Sequence, residues 1–209
     1  MVTKAKKAEL ATATPVEWSL IGPAAAEFCR YVRAVAIAAS TDDARQVLTA
    51  LHVRSNGKLR LEATDAYRLH RLDIGDQLPE IEALVPAAFL VRHLPKRIGV
   101  VEELRLVFHE GRFTIAFGDE TYSCRLIGGT YPTTDTIVDI SPAEPDDHKG
   151  VKAYNPKYLV DVYKAANLLN DSTPVLVMSG LDPMKPTRFV QKSSGATLTM
   201  LLMPVRYFE

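Results

Sequence analysis

The order strand, helix, three strands recurs three times along the 209 residues, and this repeat constrains the fold more than any other feature. The first pass reads as a strand over 16–20 and a helix opened by Gly22-Pro23 that runs to about Val35. After a polar break at 40–43 come strands over 47–54, 59–63 and 68–74, with a turn at Asn56-Gly57. The second pass places a strand at 81–85, a short helix at 86–94 stopped by Pro95, and strands at 104–108, 113–117 and 122–127. Turns at Glu110-Gly111 and Gly118-Asp119 join these three strands. The third pass begins with a strand at 151–154. Asn155 then caps a helix, with Pro156 behind it, that reaches about Leu169. Strands at 175–178, 188–192 and 197–203 complete it. Each module is roughly 50–60 residues, and a lone module buries its helix stripe poorly and seeks a neighbour. The expected class is α+β: antiparallel sheets with the helices on one face.

Periodicity predicts the core. Leu59, Leu61 and Ala63 alternate, as do Leu104, Leu106 and Phe108, then Phe113, Ile115 and Phe117. On the first helix Phe28, Val32 and Val35 share a face opposite Arg30 and Arg33. On the second, Leu90 and Leu94 oppose Arg92. On the third, Leu159, Tyr163 and Ala166 oppose Lys157 and Lys164, with Asp161 between. Each helix is thus expected to pack on a sheet and point cations outward, either as an ordinary solvated face or as a surface that follows phosphates.

Charge and composition narrow the function classes. Lys+Arg and Asp+Glu both count 25, which excludes a wholesale basic coat for nucleic acid but permits one basic face. The apolar runs are too short for a transmembrane helix. Residues 1–15 read as a flexible tail, because its lysines precede no apolar stretch of the signal-peptide kind. Cys29 and Cys124 lack metal spacing and fit reduced thiols in a cytoplasmic protein. His52, His70, His93, His109 and His148 show no ligand spacing and read as surface or half-buried residues. Asp42-Asp43 and Asp146-Asp147 read as caps or solvated turns. No phosphate-cradling loop, nucleophile elbow, metal motif or cofactor motif is present, so a non-catalytic role with no metal and no cofactor is expected.

Four segments resemble the bacterial DNA polymerase III beta sliding clamp family, in the family's order. They are Ala63-Thr64-Asp65-Ala66-Tyr67-Arg68-Leu69, Gly128-Gly129-Thr130-Tyr131-Pro132, Asn155-Pro156-Lys157-Tyr158-Leu159-Val160-Asp161-Val162 and Leu202-Met203-Pro204-Val205-Arg206. The resemblance implies a DNA-clamp fold of repeated βαβββ modules, with helices on one face of curved antiparallel sheets. It implies a complete two-module domain over 16–139, a linker over 140–150 and a half domain over 151–209. The family's rings use twelve modules, so three per chain imply a homo-oligomer with a tetramer favoured; one route is isologous pairing of third modules from two chains, and the competing expectation is a chain that never closes a ring.

The resemblance also implies partners: duplex DNA held through phosphates, a DNA polymerase, a clamp loader and other proteins with clamp-binding linear motifs. The implied motif pocket is formed by Leu48, Thr64, Ala66, Tyr67, Arg68, Leu69, Pro132, Ile137, Asn155, Tyr158, Leu201, Leu202, Met203, Pro204, Val205 and Arg206. Where the family has Gly and His, this chain has Ala66 and Tyr67, and Thr136 replaces a basic residue, which implies a narrower and less cationic pocket. The implied DNA-facing cations are Arg30, Arg33, Arg92, Lys96, Arg97, Lys157 and Lys164. The expected role is a replication processivity factor of a bacterium or phage, cytoplasmic in the cell or infected host. The alternative is a clamp mimic that captures clamp-binding motifs without encircling DNA.

Overall fold

Two first strands change places and so lock the first two modules together. The structure, a computed structural model, describes residues 14–75, 79–97, 99, 102–138, 152–169, 175–179, 185–193 and 195–205. The first module comprises β1 (Val16–Ile21), α1 (Pro23–Ala36), β2 (Ala50–Ser55), β3 (Leu59–Thr64) and β4 (Arg68–Ile74). The second comprises β5 (Ile81–Pro86), α2 (Ala87–His93), β6 (Glu103–His109), β7 (Arg112–Phe117) and β8 (Glu120–Arg125). A single turn, α3 (Asp135–Val138), follows. Then come α4 (Pro156–Leu169), β9 (Val177–Ser179), β10 (Thr187–Ser193) and β11 (Ala196–Leu202). The first sheet runs β1-β6-β7-β8 and the second β5-β2-β3-β4-β11-β10-β9. β1 therefore leaves its own module to pair antiparallel with β6, and β5 does the reverse with β2.

Local sequence explains the joints. Gly22 has φ 53, a left-handed conformation that glycine adopts without penalty, and Pro23 follows at the first turn of α1. The Gly22 N–H donates to Glu102 O at 3.0 Å, tying the turn to the strand that β1 joins. Glu110 (φ 48) and Gly111 (φ 69) form the two-residue hairpin between β6 and β7 that their sequence predicts.

The second sheet is continuous across the seam between β4 and β11, where the register runs from Ala196↔Ile74 to Leu202↔Arg68. α1 sits between α2 and α4 and packs on β2, β3 and β4, while α4 packs on β10 and β11. The helices thus line up α2-α1-α4 over the sheets. One apolar core runs through all of them, from Trp18, Phe28 and Val32 to Leu198, Met200 and Leu202. Each fully buried leucine contributes roughly 1.5–3 kcal/mol, so the seam residues alone hold the third module firmly. The alternating positions on β3 and β6, with Phe113 and Ile115 on β7, are all buried as expected.

Several expectations change. Residues 43–49 form a 3₁₀ stretch, with Asp42 accepting from the Ala44 N–H at 3.0 Å, so β2 starts at Ala50 and not at 47. The strand expected at 151–154 is reduced, among the described residues, to one bridge between Ala153 and Val205. Leu159 and Tyr163 do not face the sheet: they are exposed, and Asp161, Val162 and Ala165 are buried beside Ala166, which is buried as expected. His52 and His70 are core residues, not surface ones. Residues 1–13, His148, Asp146 and Asp147 lie outside the described residues.

His70 makes stability pH-dependent. Its Nδ1–H donates to Ala34 O at 2.8 Å, and Nε2 has no hydrogen-bond partner among the described residues, which is the neutral tautomer. Burial pushes its pKa down to about 4, from the 6.5 usual for a histidine. Below pH 6.5 the unfolded chain takes up a proton that the folded one refuses, so stability is lost as pH falls from 6.5 to about 4. The expected loss is roughly 2 kcal/mol by pH 5, from chemical denaturation at pH 7.5 and pH 5, and His70→Asn should flatten it.

Candidate partner groove and helix layer

The seam between β4 and β11 has a polar lock on its helix side and an apolar surface on the other. Arg68 is buried. Its Nη1 donates to Asp161 Oδ2 at 2.5 Å and its Nε to Asp65 Oδ2 at 3.0 Å. The guanidinium carbon lies 4.6 Å from the centre of the Tyr158 ring, and Tyr67 stacks on Tyr158 at 6.4 Å. Burial acts to raise the Asp161 carboxyl, but the bonds from Arg68 and Lys164 outweigh it and hold it below the usual range. The lock joins β4 of the first module to α4 of the third.

The β3–β4 turn feeds this lock. Thr64 Oγ1 accepts from the Ala66 N–H at 3.1 Å, and Asp65 Oδ1 accepts from the Tyr67 and Arg68 N–H groups, both at 3.0 Å. Ala66 has φ 76, the left-handed region, where a side chain costs about 1 kcal/mol. The glycine expected there from the family pattern matches that geometry, and Ala66 keeps it under strain. Beyond the seam the Met203 N–H donates to Tyr67 O at 2.9 Å, and the Val205 N–H donates to Ala153 O at 2.9 Å. The last strand therefore stops at Leu202, two residues before Pro204.

On the opposite face Leu69, Leu201 and Val138 form their own apolar cluster. Ile137 (44% exposed) adjoins Val138, and Met203 (40%) and Tyr67 (61%) are exposed together at the end of the seam. α3 is held there by a buried polar network. Arg71 is 2% exposed; its Nε donates to Glu62 Oε1 at 2.5 Å and its Nη2 to Thr134 Oγ1 at 2.5 Å. Arg71 Nη2 is also 3.0 Å from Asp135 Oδ1, and the Thr134 hydroxyl donates to Glu62 Oε1 at 2.6 Å. Arg60 bridges Asp73 and Asp135, at 2.7 Å each. His52 lies between Glu62 (3.2 Å) and Glu82 (3.1 Å) and stacks on Tyr131 at 4.6 Å. Burial would raise the Glu62 carboxyl, but His52, Thr134 and Arg71 bring it down to about 2.

Of the expected pocket residues, Tyr67, Arg68, Tyr158 and Met203 meet at one end of the seam, with Ala153 and Val205 beside them. Leu69 and Leu201 form the floor of the outer face. Pro132 and Ile137 are exposed on the segment that flanks it. Leu202 is corrected: it is fully buried in the main core, on the side of the sheet away from Leu69 and Leu201. Leu48 is buried in the 3₁₀ stretch, Thr64 and Pro204 are half-buried, and Ala66 and Asn155 are exposed. Arg206 lies outside the described residues. Sequence reasoning missed Glu62, Arg71, Thr134, Asp135 and Val138. The signal was there in part, since Glu62 and Arg71 are direct cross-strand partners on the face opposite Leu61 and Leu72.

The helix layer carries five Lys or Arg (Arg30, Arg33, Arg92, Lys157, Lys164) against two acids, Glu27 and Asp161. Asp161 is buried in the lock, so the exposed layer is positive although the chain is neutral. Arg92, Lys96, Arg97, Lys157 and Lys164 are exposed, and Arg30 is half-buried. Arg33 has a structural task instead: its guanidinium donates to Cys29 O, and to Leu94 O and Pro95 O at 2.8 and 2.9 Å, capping the end of α2. Among the described residues no group of three or more His, Cys, Asp or Glu is placed to hold a metal ion, and no helix is long and apolar enough to cross a membrane.

A cationic helix layer over sheets knitted by strand exchange, with an apolar surface at the intermodule seam, is the architecture of a DNA clamp. The chain belongs to the DNA polymerase III beta subunit family, whose central-domain model matches residues 24–133. A beta sliding clamp of Synechocystis is 28% identical over 125 residues, 51% of this chain and 32% of that protein. The chain spans about a third of the length of the curated relatives it matches. Among solved structures, the Streptococcus pyogenes beta subunit is similar with a TM-score of 0.72 at 18% identity, covering 95% of this chain and 67% of that one. A Bartonella birtlesii sliding clamp bound to griselimycin has a TM-score of 0.70 at 17% identity, covering 93% and 67%. At such identities the structural likeness establishes the fold.

Proposed function

We propose that this protein is a sliding clamp: a non-catalytic processivity factor that encircles duplex DNA as a homo-oligomeric ring and tethers a polymerase and other partners. The observation that carries the reading is the separation of two surfaces, a positive helix layer on one side of the sheets and an apolar seam surface on the other. Within it, residues 16–139 act as the complete clamp domain, 140–150 as a linker and 151–209 as a half domain.

Arg30, Arg92, Lys96, Arg97, Lys157 and Lys164 meet phosphates, while Arg33 holds α2 in place. Contacts to phosphates without base readout permit sliding, and they make affinity fall with salt by about 0.9 log units per log unit for each phosphate neutralised. Partner motifs lie against Leu69 and Leu201, between Ile137 and Pro132 on one side and Met203 and Tyr67 on the other. Tethering then raises the local concentration of a polymerase at its template without new contacts to it. The griselimycin-bound relative supports a ligand-binding surface on this fold.

Topology is the test. The protein is threaded onto bead-tethered linear duplex over its free end, and that end is then blocked. Retention through a high-salt wash is expected with the end blocked and loss with it open, and cutting the blocked duplex should release the protein. Equal loss from blocked and open ends would reject encirclement and leave the motif-capturing mimic.

A further inference from the structure

The third module lacks what the first two give each other. In the first module the sheet is completed by β5, which pairs with β2 over Ala50↔Pro86 to Ser55↔Ile81, and by α2, which packs beside α1 and on β2. That cover buries five of the six residues of β2, with the other half-buried. β9 occupies the same place in the third module, next to β10 and at the start of the three strands. Among the described residues β9 has no outer partner, and Val177 and Met178 are each 57% exposed. Val175, just before it, is 67% exposed. α4 shows the same incompleteness. α1 has a helix on either side, whereas α4 has α1 on one side and leaves Leu159, Val160 and Tyr163 exposed at helical spacing. Among the described residues, five of the twelve large exposed apolar side chains fall on these two elements, and a sixth, Val175, just before β9.

We infer that this edge and helix face take a second copy of the same third module, in a reciprocal exchange. The occupant needs a strand followed directly by a helix, as β5 is followed by α2. The third module has that plan: Lys152–Asn155 leads directly into α4, and among the described residues its one strand-like contact is the Ala153–Val205 bridge. The thirteen residues 139–151 between the second and third modules are too few to hold another module of roughly 50 residues. The exchange within the chain is itself reciprocal, β1 to β6 and β5 to β2, so two identical third modules can satisfy each other about a two-fold axis. Lys152–Asn155 of each copy then pairs with β9 of the other, and the two α4 helices pack through Leu159, Val160 and Tyr163. This deepens the ring reading by naming one of its joints, but it rests on the strand exchange and not on DNA being encircled.

Sedimentation equilibrium of the 209-residue chain at micromolar concentration tests it, with Leu159→Glu/Tyr163→Glu and, separately, Val177→Pro. All three side chains are exposed in the single chain, so each variant should keep its circular dichroism and melting cooperativity. The expected result is an even-numbered assembly whose mass falls by half in both variants, with faster amide exchange in β9. A monomeric parent, or an assembly whose mass neither variant changes, would overturn the inference. If the mass halves while threading on DNA fails in the parent, the joint stands and the clamp reading falls.

Discussion

Arg71→Met lowers the unfolding free energy by about 3–5 kcal/mol, because it takes the guanidinium from the Glu62 carboxylate, which is 3% exposed and keeps only Thr134 and His52. Urea titration of the variant at pH 7 measures it. The double variant Glu62→Leu/Arg71→Met should recover most of that loss, since replacing both members of a buried ion pair by apolar groups is often neutral or better. The double variant should nevertheless fail to bind a polymerase-derived clamp-binding peptide. Thr134 loses both Glu62 and Arg71, and Asp135 keeps only its pairs with Arg60 and Arg54, so the turn that carries Ile137 and Val138 shifts from its place beside Leu69 and Leu201. Recovery of both stability and peptide binding would show that the network is only scaffolding. Acid probes the same pair. The unfolded Glu62 carboxyl titrates near 4.5 and the folded one near 2, so the stability it contributes is complete above pH 4.5 and disappears toward pH 2.

The strand–helix–three-strand repeat was legible because every module announces itself locally. Gly22-Pro23, Pro95 and Asn155-Pro156 mark helix ends, and period-two alternation marks Leu59–Thr64 and Glu103–His109 as half-buried strands. The exchange of β1 and β5 was not legible. Nothing in Val16–Ile21 distinguishes pairing with β6 from pairing with a strand of its own module, because an apolar strand pattern names no partner. The site divides along the same line. Tyr67, Tyr158 and Met203 were found from local motifs and do come together. Arg71 and Glu62 were passed over because alternation puts them on the sheet face that faces solvent by default. Only the return of residues 131–138 across that face buries them, and this contact spans more than sixty residues of sequence. Leu159 and Tyr163 failed for the opposite reason. Their spacing describes an apolar helix stripe correctly, but spacing does not say whether the matching surface lies within the same chain.

Arg68→Met and Met203→Glu should separate the two ways of losing the partner groove. Arg68 is 8% exposed and bonded to two carboxylates, Asp65 and Asp161. Replacing it leaves Asp161 with Lys164 at 3.3 Å as its partner, and the expected destabilisation is about 3 kcal/mol. The damage should be local to the seam. Hydrogen exchange of β4 and β11 amides should accelerate, while β6 and β7 in the other sheet stay protected. Peptide affinity then falls because Leu69 and Leu201 no longer hold their register across the two strands. Met203→Glu acts without any of this. The side chain is 40% exposed beyond the end of β11, so folding stability should change by less than about 0.5 kcal/mol. A carboxylate placed where an apolar motif residue must settle should still weaken peptide binding by about 30-fold or more, the scale of a lost interface hot spot. Calorimetric titration with the same peptide on both variants reads the contrast. If Met203→Glu binds as tightly as the parent, the peptide does not use this end of the seam, and the groove must be sought elsewhere on the outer face.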